Sequence, residues 1–471
     1  MTVLSETINE LWDKHGIPGL MDFIRIPSKS TDFDPHWESN GFLKQACESA
    51  AKWLKDLVPS AHCELLTSPG KTPCLFVDIP ATQNLEHSAA IAFYGHFDKL
   101  PETGVWREGL GAWSPVLEGD RLYGRGSADD GYSFYLMGVC VAALKKLNCG
   151  HPRIIGIFET QEESGSLDLP YYLALMQNRL GSVEAFFILD NSCSDYERLW
   201  TVASLRGVIK ATLQVKALSH GVHSGAYSGI VPDAFGIAQY LLARVYTPLT
   251  SEVKIPSCST VIDDSRRQQL RDASRILGDQ IWNHAPLLAG VTPLSTQPSE
   301  LLLQNTWKPA LTVTGFSGLP TPDNAGNIIH GEVSLTLSMR VPPLINLTQA
   351  VDDLTRLLTT EIPFDCNVKL TNISAEPGWA TPTLSTRVHE SLSKASEHYF
   401  GNPLAITGQG GSIPIVNEFE KYLPHTTLVV TGALGIDSNA HAPNEFLNMG
   451  YTKKLTAAVA QVIQDCANQY Q

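Results

Sequence analysis

The chain has 471 residues, 43% of them hydrophobic, with 36 glycines and 29 prolines, so it can bury a large core, and its length suits two domains. The 34 basic against 48 acidic residues leave a net charge of -14, which favours solubility and argues against a nucleic-acid or anionic-membrane partner. No apolar run approaches the roughly 18 residues that cross a bilayer.

The N-terminal "MTVLSETINELWDKHG" carries acidic residues where a secretory leader needs a basic start, and it is predicted to form an amphipathic first helix. The nine cysteines are odd in number and irregularly spaced, which indicates reduced thiols and, without a leader, a cytoplasmic location. From about residue 88, "AAIAFY", "RIIGIF" (153–158) and "EAFFIL" (184–189) read as strands buried on both faces, while "FYLMGVCVAALKKL" (134–147) reads as a helix with a basic end. This order is α/β with a largely parallel sheet. Sites in such sheets gather beyond the carboxyl ends of strands. Here those ends supply His96 and Asp98, then Glu159, Glu162 and Glu163, then Asp190.

Near residue 204 the pattern changes. "VIKATLQVKA" and "HGEVSLTLSMRV" (330–341) alternate as one-sided antiparallel strands do, which predicts a second, α+β domain. "QGGSIP" (409–414), "TTLVVTGALG" and the last helix, "YTKKLTAAVAQVIQDCANQ", return to the first pattern. The expected organisation is a split domain, 1–203 with 384–471, and an inserted domain, 204–383.

Taken singly, each polar motif also fits an ordinary role. The histidine of "GHFDKLP" (95–101) fits a turn, the aspartates of "YGRGSADDG" (123–131) fit a helix cap, and Asp190 fits a turn. "ETQEESGS" (159–166) fits either a solvated helix start or a division of labour in which one glutamate binds metal and its neighbour handles protons. His441 in "SNAHAPNE" (438–445) fits a polar loop. Together they offer two histidines and at least three carboxylates, donors that suit Zn²⁺. Five ligands exceed a three-ligand catalytic site, so a zinc pair sharing one aspartate is the economical expectation. Two such ions generate hydroxide from water and polarise a carbonyl.

In their order along the chain, "GHFDKLP", "GRGSADDG", "ETQEESGS", "LDN", "HSG", "GQGGSIP" and "AHAPNE" resemble the di-zinc metallopeptidases that include aminoacylase, carboxypeptidase G, succinyl-diaminopimelate desuccinylase and carnosinase. "ETQEESGS", "HSGAYSG", "MRVPP" and "GGSIP" look most like the cytosolic nonspecific dipeptidase and carnosinase branch. The resemblance implies a zinc-exopeptidase-like catalytic domain, with helices flanking its mostly parallel sheet, and an inserted lid or dimerisation domain. It implies that His96, Asp129 and Asp190 hold one zinc (Mn²⁺ or Co²⁺ being alternatives), and that Asp129, Glu163 and His441 hold the other. Glu162 is then the general base and Asp98 the residue that orients His96.

In the inserted domain, the resemblance implies that His223 reaches a partner subunit's site in a homodimer, that Arg340 clamps the substrate carboxylate, and that Gly411 and Ser412 assist it. Asn327 falls where a close relative has threonine, Gly131 where lysine is common, and Gln409 where carnosinase relatives have an acidic residue. The implied activity is hydrolysis of dipeptides or similar small peptides. An N-acyl amino acid deacylase is the alternative, and a non-catalytic binding relative is a remote one.

Overall fold

The structure is a computed structural model and describes residues 2–381, 386–413 and 415–469. The expected domain boundary at 383/384 and the last residue of "QGGSIP" lie outside the described residues. The chain divides into two compact units: Met1–Val202 with Thr381–Ile406 and Ile415–Gln471, and Ala203–Ala380 with Thr407–Pro414.

The first unit is built on strands that are apolar along their whole length. Every residue of Ala90–His96 and of Ile154–Glu159 is buried, as continuous apolar runs covered on both faces require. Ala90–His96 lies parallel between Ile154–Glu159 and Val183–Ile188, and Thr427–Val430 extends the parallel set beyond Val183–Ile188. The register sets His96 beside Glu159, Tyr94 beside Ile188, and Val430 beside Ile188, so these strands end at one level.

Antiparallel strands flank this centre. Lys71–Ile79 pairs with Ile154–Glu159 and, through a turn at Gly70 (φ 70°), with His62–Ser68.

The helix Tyr132–Lys146 is apolar nearly all round and is buried from Tyr132 to Leu144. It packs against the C-terminal helix Met449–Asn468 and the first helix Val3–Leu11. The expected first helix forms as Val3–Leu11 and runs on through a wider turn, Trp12–Gly16, into Ile17–Ile24, with Pro18 in the first turn of that segment. Proline has no N–H for the preceding turn, so regular α-helical bonding cannot continue across this point. Trp12 closes the gap by donating its indole N–H to Thr456 Oγ1 at 2.8 Å.

The second unit holds a four-stranded antiparallel sheet in the order Ala310–Ser317, Glu332–Val341, Gly207–Lys216, Asn367–Glu376. The alternating sequences bury one face: Ile209, Leu213, Val215, Val333, Leu335, Leu337 and Met339 share a core with Leu241, Leu354 and Leu358. The last three lie on the helices Ala234–Val245 and Leu347–Thr359, whose N-termini are capped by the side chains of Asp233 and Asn346. Among the described residues, no helix is long and apolar enough to cross a membrane.

Candidate metal centre

His96 is the last residue of its strand and is fully buried. Its Nε2 lies 3.2 Å from Asp129 Oδ1 and 3.7 Å from Asp190 Oδ2. Nδ1 faces the main-chain carbonyl of Asp98 at 3.0 Å and that residue's Oδ1 at 3.4 Å. With acceptors on that side, the Nδ1 position carries hydrogen and Nε2 is left for a ligand role. The Asp98 carboxylate also accepts the main-chain N–H groups of Glu162 (3.1 Å) and Glu163 (3.0 Å). One buried carboxylate therefore holds both the histidine and the turn that carries the two glutamates.

Asp129 follows a loop that depends on Gly124 (φ 146°) and Gly126 (φ 80°), conformations that strain any side chain. Its Oδ2 lies 2.8 Å from His441 Nε2, which is also 3.3 Å from Glu163 Oε2. Two donor groups result, His96 with Asp129 and Asp190, and Asp129 with Glu163 and His441, each with ligand atoms within 4.8 Å of one another. Asp129 alone belongs to both.

The other acidic residues nearby belong to neither donor group. Asp130 accepts from Ser133 Oγ at 2.9 Å. Glu159 accepts from Tyr94 Oη and Ser166 Oγ, each at 2.7 Å, beneath the cluster. Glu162 stands in neither donor group, with Oε2 4.0 Å from His96 Nε2 and a side chain 23% exposed. A Cβ at Gly131 would collide with the Phe23 ring, so this packing admits no longer residue.

Burial pushes Glu159 up to about 7, Asp190 up to about 7 and Glu163 up to about 11, and neighbouring carboxylates push in the same direction. Burial and the charge of Asp190 also lift Glu162 well above the usual range. Burial opposes ionisation of Asp129 too, but its hydrogen bonds with His441 and His96 prevail and hold it low. For His96, burial favours the neutral ring, yet Asp129 and Asp98 raise its pKa well above the ordinary value. The cluster is thus short of positive charge. Nitrogen and oxygen donors gathered in this way fit divalent cations of borderline hardness.

Within these motifs, Lys99, Arg125 and Glu445 are buried ionisable residues that the sequence left unassigned. Lys99, inside "GHFDKLP", donates Nζ to the carbonyls of Phe23 and Ile26, each at 2.8 Å, and so caps the C-terminal end of Ile17–Ile24. Arg125 and Glu445 pair at 2.7 Å beside Asp129. All three occur within motifs already singled out, but their sequence context gave no sign that they are buried.

In the second unit, Arg340 Nη1 is 3.4 Å from Ser412 Oγ. The largely buried Arg206, also unassigned, donates Nε to the Gly410 carbonyl at 3.2 Å. Burial, and after it the charge of Arg340, lowers the Arg206 pKa to about 10. Gly411 leaves open space where a Cβ would stand. His223 is exposed on the two-residue strand Val222–His223, which pairs with Ile328–Ile329, and the adjacent Asn327 carbonyl accepts the Ser224 N–H at 2.8 Å.

A largely parallel sheet with two N/O donor groups that share one aspartate, gathered at a strand end and on adjoining loops and turns, has the make-up of a metal-dependent hydrolase. The profile of peptidase family M20/M25/M40 matches residues 92–465, and the chain belongs to that family; it is a metallopeptidase. It is 23% identical over 461 residues to a cysteinylglycine-S-conjugate dipeptidase of Corynebacterium striatum, covering 93% of this chain and 95% of that one. It is 26% identical over 480 residues to the Cys-Gly metallodipeptidase DUG1 of Candida albicans (95% and 93%), and 23% identical over 367 residues to the human Beta-Ala-His dipeptidase (76% and 71%). Its fold matches that of Dug1p from Saccharomyces cerevisiae (TM-score 0.74, 19% identity, 99% of this chain and 98% of that one). It also matches human carnosine dipeptidase 1 (TM-score 0.75, 18% identity, 99% of each chain).

Proposed function

We propose that the protein hydrolyses the amide bond of dipeptides with the help of two divalent cations. The observation that carries this reading is the sharing of Asp129 by two donor groups, with Glu162 beside them and in neither. The dipeptidases among its relatives support dipeptides as the substrate class. His96, Asp129 and Asp190 would hold one cation, and Asp129, Glu163 and His441 the other. Zn²⁺ is favoured by the donors, and Mn²⁺ or Co²⁺ accept the same set. When bound, such a pair lowers the pKa of water and polarises the scissile carbonyl.

The chain's own residues supply the rest. Glu162 takes a proton from the attacking water and delivers it to the leaving amine. Asp98 fixes the tautomer of His96 and the main chain under Glu162. Arg340, with Ser412 and Gly411, takes the substrate's free carboxylate, and Asn327 lies in the loop that bears on substrate choice. His223 serves the oxyanion in a second copy of the chain, the unit around 204–383 acting as lid and dimerisation domain. All nine cysteines are free, which supports a cytoplasmic enzyme.

The test is turnover by protein loaded with Zn²⁺ or Mn²⁺ on dipeptides, longer peptides and N-acyl amino acids, read as released amine. Dipeptides should be cleaved, and a chelator should abolish cleavage. Cleavage of N-acyl amino acids alone would show a deacylase instead.

A further inference from the structure

Two buried charges outside both donor groups stand where the Asp129 loop meets the His441 loop. Glu445 is 0% exposed and Arg125 1%. The two oxygens of Glu445 divide their partners: Oε2 accepts from Arg125 Nη1 at 2.7 Å, and Oε1 accepts the main-chain N–H groups of Ala128 (3.1 Å) and Asp129 (3.2 Å). Arg125 Nη2 donates to the carbonyl of Ala442, the residue after His441, at 3.1 Å. Gly124 N–H bonds to the main-chain carbonyl of Glu445 at 3.0 Å, and Tyr123 pairs with Phe446. One carboxylate and one guanidinium therefore tie the chain around Asp129 to the chain around His441.

Packing alone does not account for this pair. A buried ion pair commonly stabilises a fold no better than apolar residues of the same volume. This one also adds a carboxylate next to Asp129, where negative charge is already crowded. What it supplies is fixed spacing, and its reach is one-sided. Among the described residues, and beyond the bond between the two and a long contact from Arg125 to the Pro101 carbonyl (3.5 Å), the pair's side-chain bonds go to residues 128–129 and 442. It makes none to the strand ends that carry His96 and Asp190.

We propose that Glu445 and Arg125 are positioning residues for one of the two metal positions, the one formed by Asp129, Glu163 and His441, and that they set its affinity by holding Asp129 and His441 at their separation. The inference rests on the dinuclear reading above.

The experiment is calorimetric titration of metal-free protein with Zn²⁺ in two backgrounds. Asp190→Asn leaves the Asp129, Glu163 and His441 group intact, and Glu163→Gln leaves the His96, Asp129 and Asp190 group intact. Glu445→Gln keeps an oxygen for the two N–H groups and removes the ion pair. It should weaken binding about 10–100-fold in the Asp190→Asn background, the scale for losing a group that orients a ligand, and change it little in the Glu163→Gln background. Arg125→Lys, which keeps the charge but lacks the fork that reaches Ala442, should show the same asymmetry, and it decides the matter if Glu445→Gln does not fold. Equal losses in both backgrounds, or none in either, overturn the proposal. A wild-type stoichiometry of one overturns the dinuclear reading and the proposal with it, and the unmutated protein alone reveals that outcome.

Discussion

Asp98 Oδ1 accepts the main-chain N–H of Glu162 at 3.1 Å, and the other oxygen of the same carboxylate accepts that of Glu163 at 3.0 Å. The turn Glu162–Ser164 is thereby oriented so that Glu163 joins a donor group and Glu162 does not. Glu162→Gln should therefore keep its metal content and lose about 10²–10⁴-fold in turnover, the contribution of a positioned proton acceptor. Metal analysis beside kinetics checks this. Near-wild-type turnover would remove Glu162 from the reaction.

The metal-free protein should become less stable as pH rises from 5 to 8. A carboxyl whose folded pKa is raised contributes stability below its unfolded value and loses it as pH climbs to the folded value. For Glu159 the window runs from the ordinary 4.5 to about 7, a loss on the order of 3 kcal/mol. Asp190, raised to about 7, and Glu163, raised to about 11, act in the same direction. So do His96 and His441, whose raised pKa values mean that stability present at low pH is lost on deprotonation. Thermal unfolding of chelator-treated protein at the two pH values tests this. Added Zn²⁺ should restore stability most at pH 8.

Arg340 has Ser412 beside it and, among the described residues, no acidic partner. If it binds the substrate carboxylate, Arg340→Ala should lower kcat/KM for free dipeptides by roughly 2–5 kcal/mol, the scale for breaking a buried charge pair. Amidated dipeptides should lose far less. Equal losses on both substrates would assign Arg340 a structural role.

His223 is exposed on a short ribbon of the second unit, as a residue that serves another copy must be. Mixing inactive His223→Ala with inactive Glu162→Ala subunits should restore activity, because one site of each mixed dimer regains both residues. If subunit exchange is verified by mass and activity does not return, the trans assignment fails.

The strand ends were legible because Ala90–His96, Ile154–Glu159 and Val183–Ile188 are apolar on both faces, and such runs stop abruptly where polar chemistry begins. The hairpin His62–Ile79 was not read, since its first strand is half-exposed and lacks a clean alternation. The first helix was legible over residues 1–16, and the wider turn at Trp12–Gly16 follows from Pro18, just past that stretch. Residue type and spacing alone left the three glutamates of "ETQEES" equivalent, and it was the family resemblance that singled out Glu162 and Glu163. The structure adds the physical reason: the turn at Glu162–Ser164 carries those two away from Glu159, which bonds to Tyr94 and Ser166 instead. Arg125, Glu445 and Lys99 were hidden for a different reason: a charged residue declares its burial only through the segments that close over it, and for Arg125 and Glu445 those segments are more than 300 residues apart.

The most direct measurement is the number of Zn²⁺ equivalents bound by wild-type protein and by Asp129→Ala. Because Asp129 Oδ1 lies 3.2 Å from His96 Nε2 and Oδ2 lies 2.8 Å from His441 Nε2, one side chain serves both donor groups. Two equivalents in the wild type and nearly none in the variant are expected. A single equivalent in the wild type, or one tightly held equivalent surviving in Asp129→Ala, would contradict a shared aspartate at the centre of a two-metal site.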